Sequence, residues 1–187
     1  MKKSIFWITR TAAMLALLIC LQWVGSLIPE QTVKQLVTGS FVNCVLAITV
    51  LMVGRSAGIT VAVISPVCAF LFGIAPNFIT VVPIVAGNVL YVVLLKLLYG
   101  QTLWRRVVAL LTAAVVKFGV LYFLVVVVIC GLASDALLGQ KLGEIVVLAP
   151  PMLKMLPAMF TWPQLITALL GGSVALTIEP VLRKAMK

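Results

Sequence analysis

Histidine is absent from the 187 residues, and acidic side chains are almost absent too, with four Asp and Glu against 14 Lys and Arg. Without histidine there is no HExxH zinc motif, no Ser-His pair and no imidazole ligand. The four cysteines, Cys20, Cys44, Cys68 and Cys130, are scattered through apolar runs. No two have metal-ligand or redox spacing, so they read as small buried hydrophobes and no metal site is expected. No GxxxxGK[ST] loop occurs, so the chain carries no ATPase site of its own. Paired carboxylates are missing as well, which argues against acid–base catalysis. The one acid inside a long apolar run is Glu179, close to Arg183 near its end. Proton- or sodium-driven transporters usually place a carboxylate near the bilayer midplane, so that mechanism is disfavoured. No catalytic residue and no cofactor are expected.

What is present is apolar. Hydrophobic residues make up 64%, charged residues 10%, and the mean hydropathy is +1.27. Soluble domains carry about 25% charged residues. A chain this apolar cannot cover a water-facing surface, so its solvent is lipid. The expected fold is an all-α, polytopic six-transmembrane-helix bundle forming a single domain over residues 1–187. The expected spans are 5–28, 36–53, 56–72, 77–99, 104–132 and 162–182, joined across the longest gap by a loop at 133–161. Met1-Lys2-Lys3 before an apolar run could mimic a signal peptide. Arg10 interrupts that run and no A-x-A site follows, so it reads as a retained first helix. A tight turn is expected at Gly73-Ile74-Ala75-Pro76. Pro66, Pro83 and Gly87 are expected to kink helices rather than end them.

Lys and Arg are distributed unevenly. Lys2, Lys3, Arg10, Arg55, Lys96, Arg105, Arg106, Arg183, Lys184 and Lys187 fall on one side of the expected spans. Lys34, Lys141 and Lys154 fall on the other, matched by Glu30, Asp135 and Glu144. By the positive-inside rule both termini are cytoplasmic and the 133–161 loop is outside. The net charge of +10 thus reads as topology and attraction to anionic lipid, not as nucleic-acid binding. That loop holds Pro150-Pro151, Pro157, Met152, Met155, Met159 and Phe160, and a loop so apolar either dips into the interface or covers a cavity.

A few polar residues are stranded in lipid. Lys117 lies ~20 Å into the fifth span from Trp104. Burying its cation costs at least ~2.5 kcal/mol, so it snorkels, makes a structural hydrogen bond, or contacts an anionic or carbonyl-bearing ligand. Asn43, Asn88 and Gln22 lie at similar depths on other helices, with Tyr91 one turn from Asn88 and Tyr122 about one turn outward from Lys117, and Trp162-Pro163-Gln164 opens the last span. Singly these are interhelical glue or interface anchors. Together they suggest a pocket open to the outside, with a few polar groups in an apolar wall. Near the opposite end Ala12 and Ala16 form a small-xxx-small face, suited to packing in its own bundle or against a foreign helix.

With its six helices, its size and the early Ala12-xxx-Ala16 after a basic residue, the chain resembles the substrate-capture (S) subunits of energy-coupling factor (ECF) importers. The run Val37-Thr38-Gly39-Ser40-Phe41-Val42-Asn43 is similar to a subgroup of them, as are Ser65-Pro66, Gly87-Asn88, Lys117-Phe118 and Trp162-Pro163-Gln164. The resemblance implies a vitamin-like ligand, a prokaryotic plasma membrane, a transmembrane T subunit docking on Ala12 and Ala16, and two ATPase subunits supplying energy. It also implies toppling of the subunit to deliver the ligand inward. Asn43, Asn88, Lys117, Tyr122, Trp162 and Gln164 are the expected ligand contacts. Fingerprints of the biotin, riboflavin and thiamine subunits are absent, which leaves the ligand open. The alternative is a stand-alone small secondary transporter or channel.

Overall fold

A computed structural model describes residues 2–72, 75, 77–143 and 145–185. Gly73, Ile74 and Pro76 of the expected tight turn, and Glu144 and Lys187 of the charge count, lie outside the described residues. Among the described residues the chain is helical throughout, apart from turns and one short hairpin. Its helices are α1 (Lys2–Ser26), α2 (Gln31–Met52), α3 (Arg55–Leu71), α4 (Val81–Leu98), α5 (Leu103–Leu121), α6 (Ser134–Leu137), α7 (Met152–Phe160) and α8 (Trp162–Ala185). Five helical stretches are long and apolar enough to cross a membrane, and the 17-residue α3 is a shorter apolar helix. At 1.5 Å per residue α3 is ~26 Å long, a little under the ~30 Å hydrocarbon layer. α1, α2, α3, α4, α5 and α8 form the bundle, an all-α polytopic membrane fold.

The side chains turned outward confirm the solvent. Leu132 is 82% exposed, Leu103 76% and Trp104 74%. A surface of this kind is stable only against acyl chains. Tryptophans mark both ends of the bundle: Trp7 and Trp104 at the end that holds the termini, Trp23 and Trp162 at the other. Amphipathic rings favour those two interfaces. Trp7 Nε1 also donates to Ser56 Oγ at 3.0 Å and so ties α1 to the start of α3.

The bundle is built around α2, which packs most extensively on α8. Small residues permit this. A Cβ on Gly171 would meet the Ser40 carbonyl oxygen and approach Cys44 N within 2.8 Å, so the two backbones touch there. A Cβ on Gly39 would lie 2.8 Å from Thr167 Cγ2. Leu18, Leu46, Val50, Val61, Tyr91 and Leu95 belong to the core that fills the terminus-side half. A second cluster, including Leu121, Val125, Leu148, Leu156 and Phe160, packs under the 133–161 segment at the opposite end.

Three elements differ from the sequence expectation. α2 begins at Gln31, not near residue 36, because the Glu30 carboxylate caps it, accepting from Thr32 N at 3.0 Å and from Val33 N. Those two backbone bonds hold the exposed Glu30 carboxyl below its ordinary pKa. Pro83 falls in the first turn of α4, where no intrahelical donor is needed, so it starts that helix instead of kinking it. Pro66 does lie inside α3. The described residues of the 133–161 segment carry secondary structure where a loop was expected. The fifth span continues past α5 as a π-helix, Tyr122–Leu132, then α6, a hairpin of β1 (Lys141–Leu142) and β2 (Ile145–Val146), and α7. Buried Asn77 pins the hairpin down, donating through Nδ2 to Val147 O at 3.0 Å and Val146 O at 3.3 Å.

Candidate functional site

A cavity of about 160 Å³ lies in the half of the bundle away from the termini. Every long helix contributes to its wall: Gln22 from α1, Thr38 and Asn43 from α2, Ser65 and Pro66 from α3, Asn88 from α4, Lys117 from α5 and Gln164 from α8. α7 lies across it and supplies Met159 and Phe160. On α2 the lining runs from Gln31 to Asn43, ~18 Å along the axis, so the first turn of that helix forms the mouth.

Lys117 organises the buried part. It is 3% exposed, and its Nζ donates to Asn43 Oδ1 at 2.6 Å and to Asn88 Oδ1 at 2.7 Å. The ammonium also lies 5.4 Å from the centroid of the Tyr91 ring, a cation–π distance. Asn43 is held in turn, its Nδ2 donating to Gly39 O at 2.8 Å and to Thr167 Oγ1 at 3.4 Å. No carboxylate pairs with Lys117 among the described residues. Its charge is therefore solvated by two neutral amide oxygens and a ring face, with one of three N–H donors unassigned. Snorkelling is excluded by this geometry.

The wall holds further unspent polar groups. Among the described residues four buried side-chain atoms lack any hydrogen-bond partner: Gln22 Oε1, Thr38 Oγ1, Ser65 Oγ and Asn88 Nδ2. All four belong to residues lining this cavity. Leaving a buried polar atom unpaired costs ~1–3 kcal/mol, and native proteins keep only a few such atoms per hundred residues. Their gathering in the residues of one cavity wall marks that cavity as the candidate place for a polar ligand.

α7 is tied to the mouth by hydrogen bonds. Gln35 Nε2 and Gln164 Nε2 both donate to the Met159 carbonyl, the latter at 3.1 Å, and Gln31 Nε2 approaches Met159 Sδ at 3.9 Å. The segment therefore covers the cavity, one of the two roles its apolar composition suggested.

Of the residues singled out from sequence, Asn43, Asn88, Lys117, Gln164 and Gln22 come together in the wall. Tyr91 is wholly buried behind it, its hydroxyl donating to Ala168 O at 3.4 Å. Tyr122 and Trp162 do not line the cavity. Tyr122 is 41% exposed and stacks near Phe118 at the start of the π-helix, while Trp162 is 53% exposed at the membrane interface. Sequence reading missed Gln31, Lys34, Gln35, Thr38 and Ser65. A signal for the α2 members was available, since 31, 34, 35, 38 and 42 repeat at helical spacing and define one face. At the other end of α1, Ala12 and Ala16 are exposed and not packed inside the bundle.

The family model described as "ECF transporter, substrate-specific component" matches residues 10–183, which takes in all six long helices and the cavity. The chain belongs to that family. It is thus the substrate-specific component of a transporter, and the cavity is the candidate place for its substrate. No curated protein and no solved structure matches the chain.

Proposed function

We propose that the protein captures a small vitamin-like micronutrient in this cavity at the outer face of a prokaryotic plasma membrane. It then passes the ligand inward after docking on a transmembrane T subunit driven by two ATPase subunits. The observation that carries the capture step is the coincidence of all four orphaned buried polar atoms with one cavity beside an uncompensated lysine. Asn43, Asn88, Lys117 and Gln164, joined by Gln22, Thr38 and Ser65, are the proposed contacts.

Support for the orientation, with both termini in the cytoplasm and the cavity mouth outward, comes from the ten-to-three bias of Lys and Arg. Support for docking comes from α1. Ala12 and Ala16 are exposed on the bundle's least buried long helix, and two small residues one turn apart let a foreign helix approach closely.

Reconstitution in liposomes tests the division of labour. The purified chain alone is expected to bind ligand without accumulating it, and uptake is expected only with the T and ATPase subunits and ATP. Accumulation by the chain alone would instead establish a stand-alone transporter.

A further inference from the structure

The capture reading, on which this inference rests, names no ligand, but the wall constrains its charge and size. Among the described residues Lys117 and Lys34 are its charged groups, and no carboxylate lines it. The acids elsewhere are committed or distant. Glu179 is held by Arg183 and Arg106 near the other end of α8, and Glu30 caps α2. Asp135 sits exposed on α6. Nothing described in the fold neutralises Lys117.

Lys117 and Asn88 share a hydrogen bond, yet both keep donors to spare. The ammonium has a third N–H, and the Asn88 Nδ2 amide is buried without an acceptor. Adjacent donors of this kind, one cationic, call for an acceptor with negative charge. A phosphate monoester brings ~1.5–2 negative charges, more than one buried lysine balances. Lys34 sits in the first turn of α2, at the mouth, and not beside Lys117. One buried cation matches a monoanion. Elsewhere in the wall, on α1, Gln22 Oε1 is a lone acceptor, so that side calls for an N–H or O–H donor. The volume of about 160 Å³, mouth included, is close to the ~150 Å³ of an apolar cavity that holds benzene, so there is room for a body of one ring.

We infer that the ligand is a small carboxylate-bearing monoanion of single-ring size, its carboxylate on Lys117 and Asn88 and a hydrogen-bond donor facing Gln22. The full chain purified in mild detergent from cells grown in rich medium is examined by native mass spectrometry, and any retained molecule is identified by exact mass and fragmentation. A retained carboxylic acid is the expected result. A retained neutral or cationic molecule would overturn the anion inference and leave the capture reading standing.

If the protein emerges empty, benzoate and benzamide at millimolar concentration serve as matched probes of one ring, one anionic and one neutral. Benzoate alone should raise the melting temperature, and Lys117→Gln should weaken its binding about 10- to 150-fold. Equal shifts with both probes, or an unweakened Lys117→Gln, would overturn the anion inference alone. An empty protein that responds to neither probe would overturn both readings.

Discussion

Lys117 Nζ lies 2.6 Å from Asn43 Oδ1, and this bond joins α5 to α2 in the buried wall of the cavity. With the matching 2.7 Å bond to Asn88 on α4, it makes the lysine a three-helix junction that has no carboxylate partner among the described residues. Placing a carboxylate at one of its partners separates the structural role from the binding role. Asn88→Asp should raise the melting temperature of the empty protein, because the new carboxylate pairs with Lys117. The same substitution should weaken ligand binding at least about tenfold, because the ligand then competes with that carboxylate. Thermal unfolding with and without ligand checks both, and unchanged affinity would remove the lysine from the site.

Backbone contact between α2 and α8 positions Asn43. Gly171→Ala drives a methyl toward Ser40 O and Cys44 N, so α8 must move away. Overpacking of this kind costs ~1–3 kcal/mol and should lower both melting temperature and ligand affinity. Gly119→Ala is the control. Its added Cβ meets nothing within 4 Å, and stability should be unchanged or rise by ~0.4–1 kcal/mol.

The cap on α2 should be visible as a pH dependence. Hydrogen bonds from Val33 N and Thr32 N keep Glu30 ionised below its ordinary pKa. A depressed carboxyl pKa contributes stability above the unfolded-state value of about 4.5, and that contribution is lost as pH falls through the folded value. Glu30→Ala should therefore melt lower than the parent at neutral pH, with the difference closing in acid. A difference that persists in acid would contradict the capping account.

Docking and capture should come apart at α1. Ala16 lies on the exposed face of that helix, well away from the lining residues. Ala16→Trp should bind ligand with parental affinity and lose ATP-dependent uptake in the reconstituted complex. Parental uptake would show that the small-residue face is not where the T subunit docks.

The terminus-side end is held by a different device. Glu179, 2% exposed, pairs with Arg183 at 2.5 Å and Arg106 at 3.8 Å, and accepts from the Tyr99 hydroxyl at 3.2 Å. Glu179→Leu leaves two arginines without their acid and should destabilise the bundle, while ligand affinity in the folded fraction stays parental.

Helices were the legible part of the sequence, because a bilayer demands long apolar runs whatever their tertiary contacts. Asn43, Asn88 and Lys117 were legible as a set because polar groups in lipid are costly wherever they point. What hydropathy concealed was the first turn of α2. Gln31, Lys34 and Gln35 read as loop because they are polar, yet they are helical behind the Glu30 cap and line the mouth. Thr38 and Ser65 stood inside the resemblance motifs but not among the expected contacts, since a small hydroxyl at an apolar interface carries little polarity signal of its own. Tyr122 and Trp162 were singled out by depth, but their azimuth leaves them outside the lining of this cavity. Depth follows from counting residues along a helix, whereas azimuth depends on packing, and the π-helix that begins at Tyr122 alters it further.

The claim that the cavity holds the substrate is tested most directly by filling it. Ala69 lines the cavity and is 6% exposed, so Ala69→Phe places a ring into the empty space. Ligand occupancy of the purified parent and of Ala69→Phe is compared by native mass spectrometry in the same detergent. The parent should carry one bound small molecule, and the variant should be folded and empty. Equal occupancy in the two proteins would contradict the account and put the substrate elsewhere in the bundle.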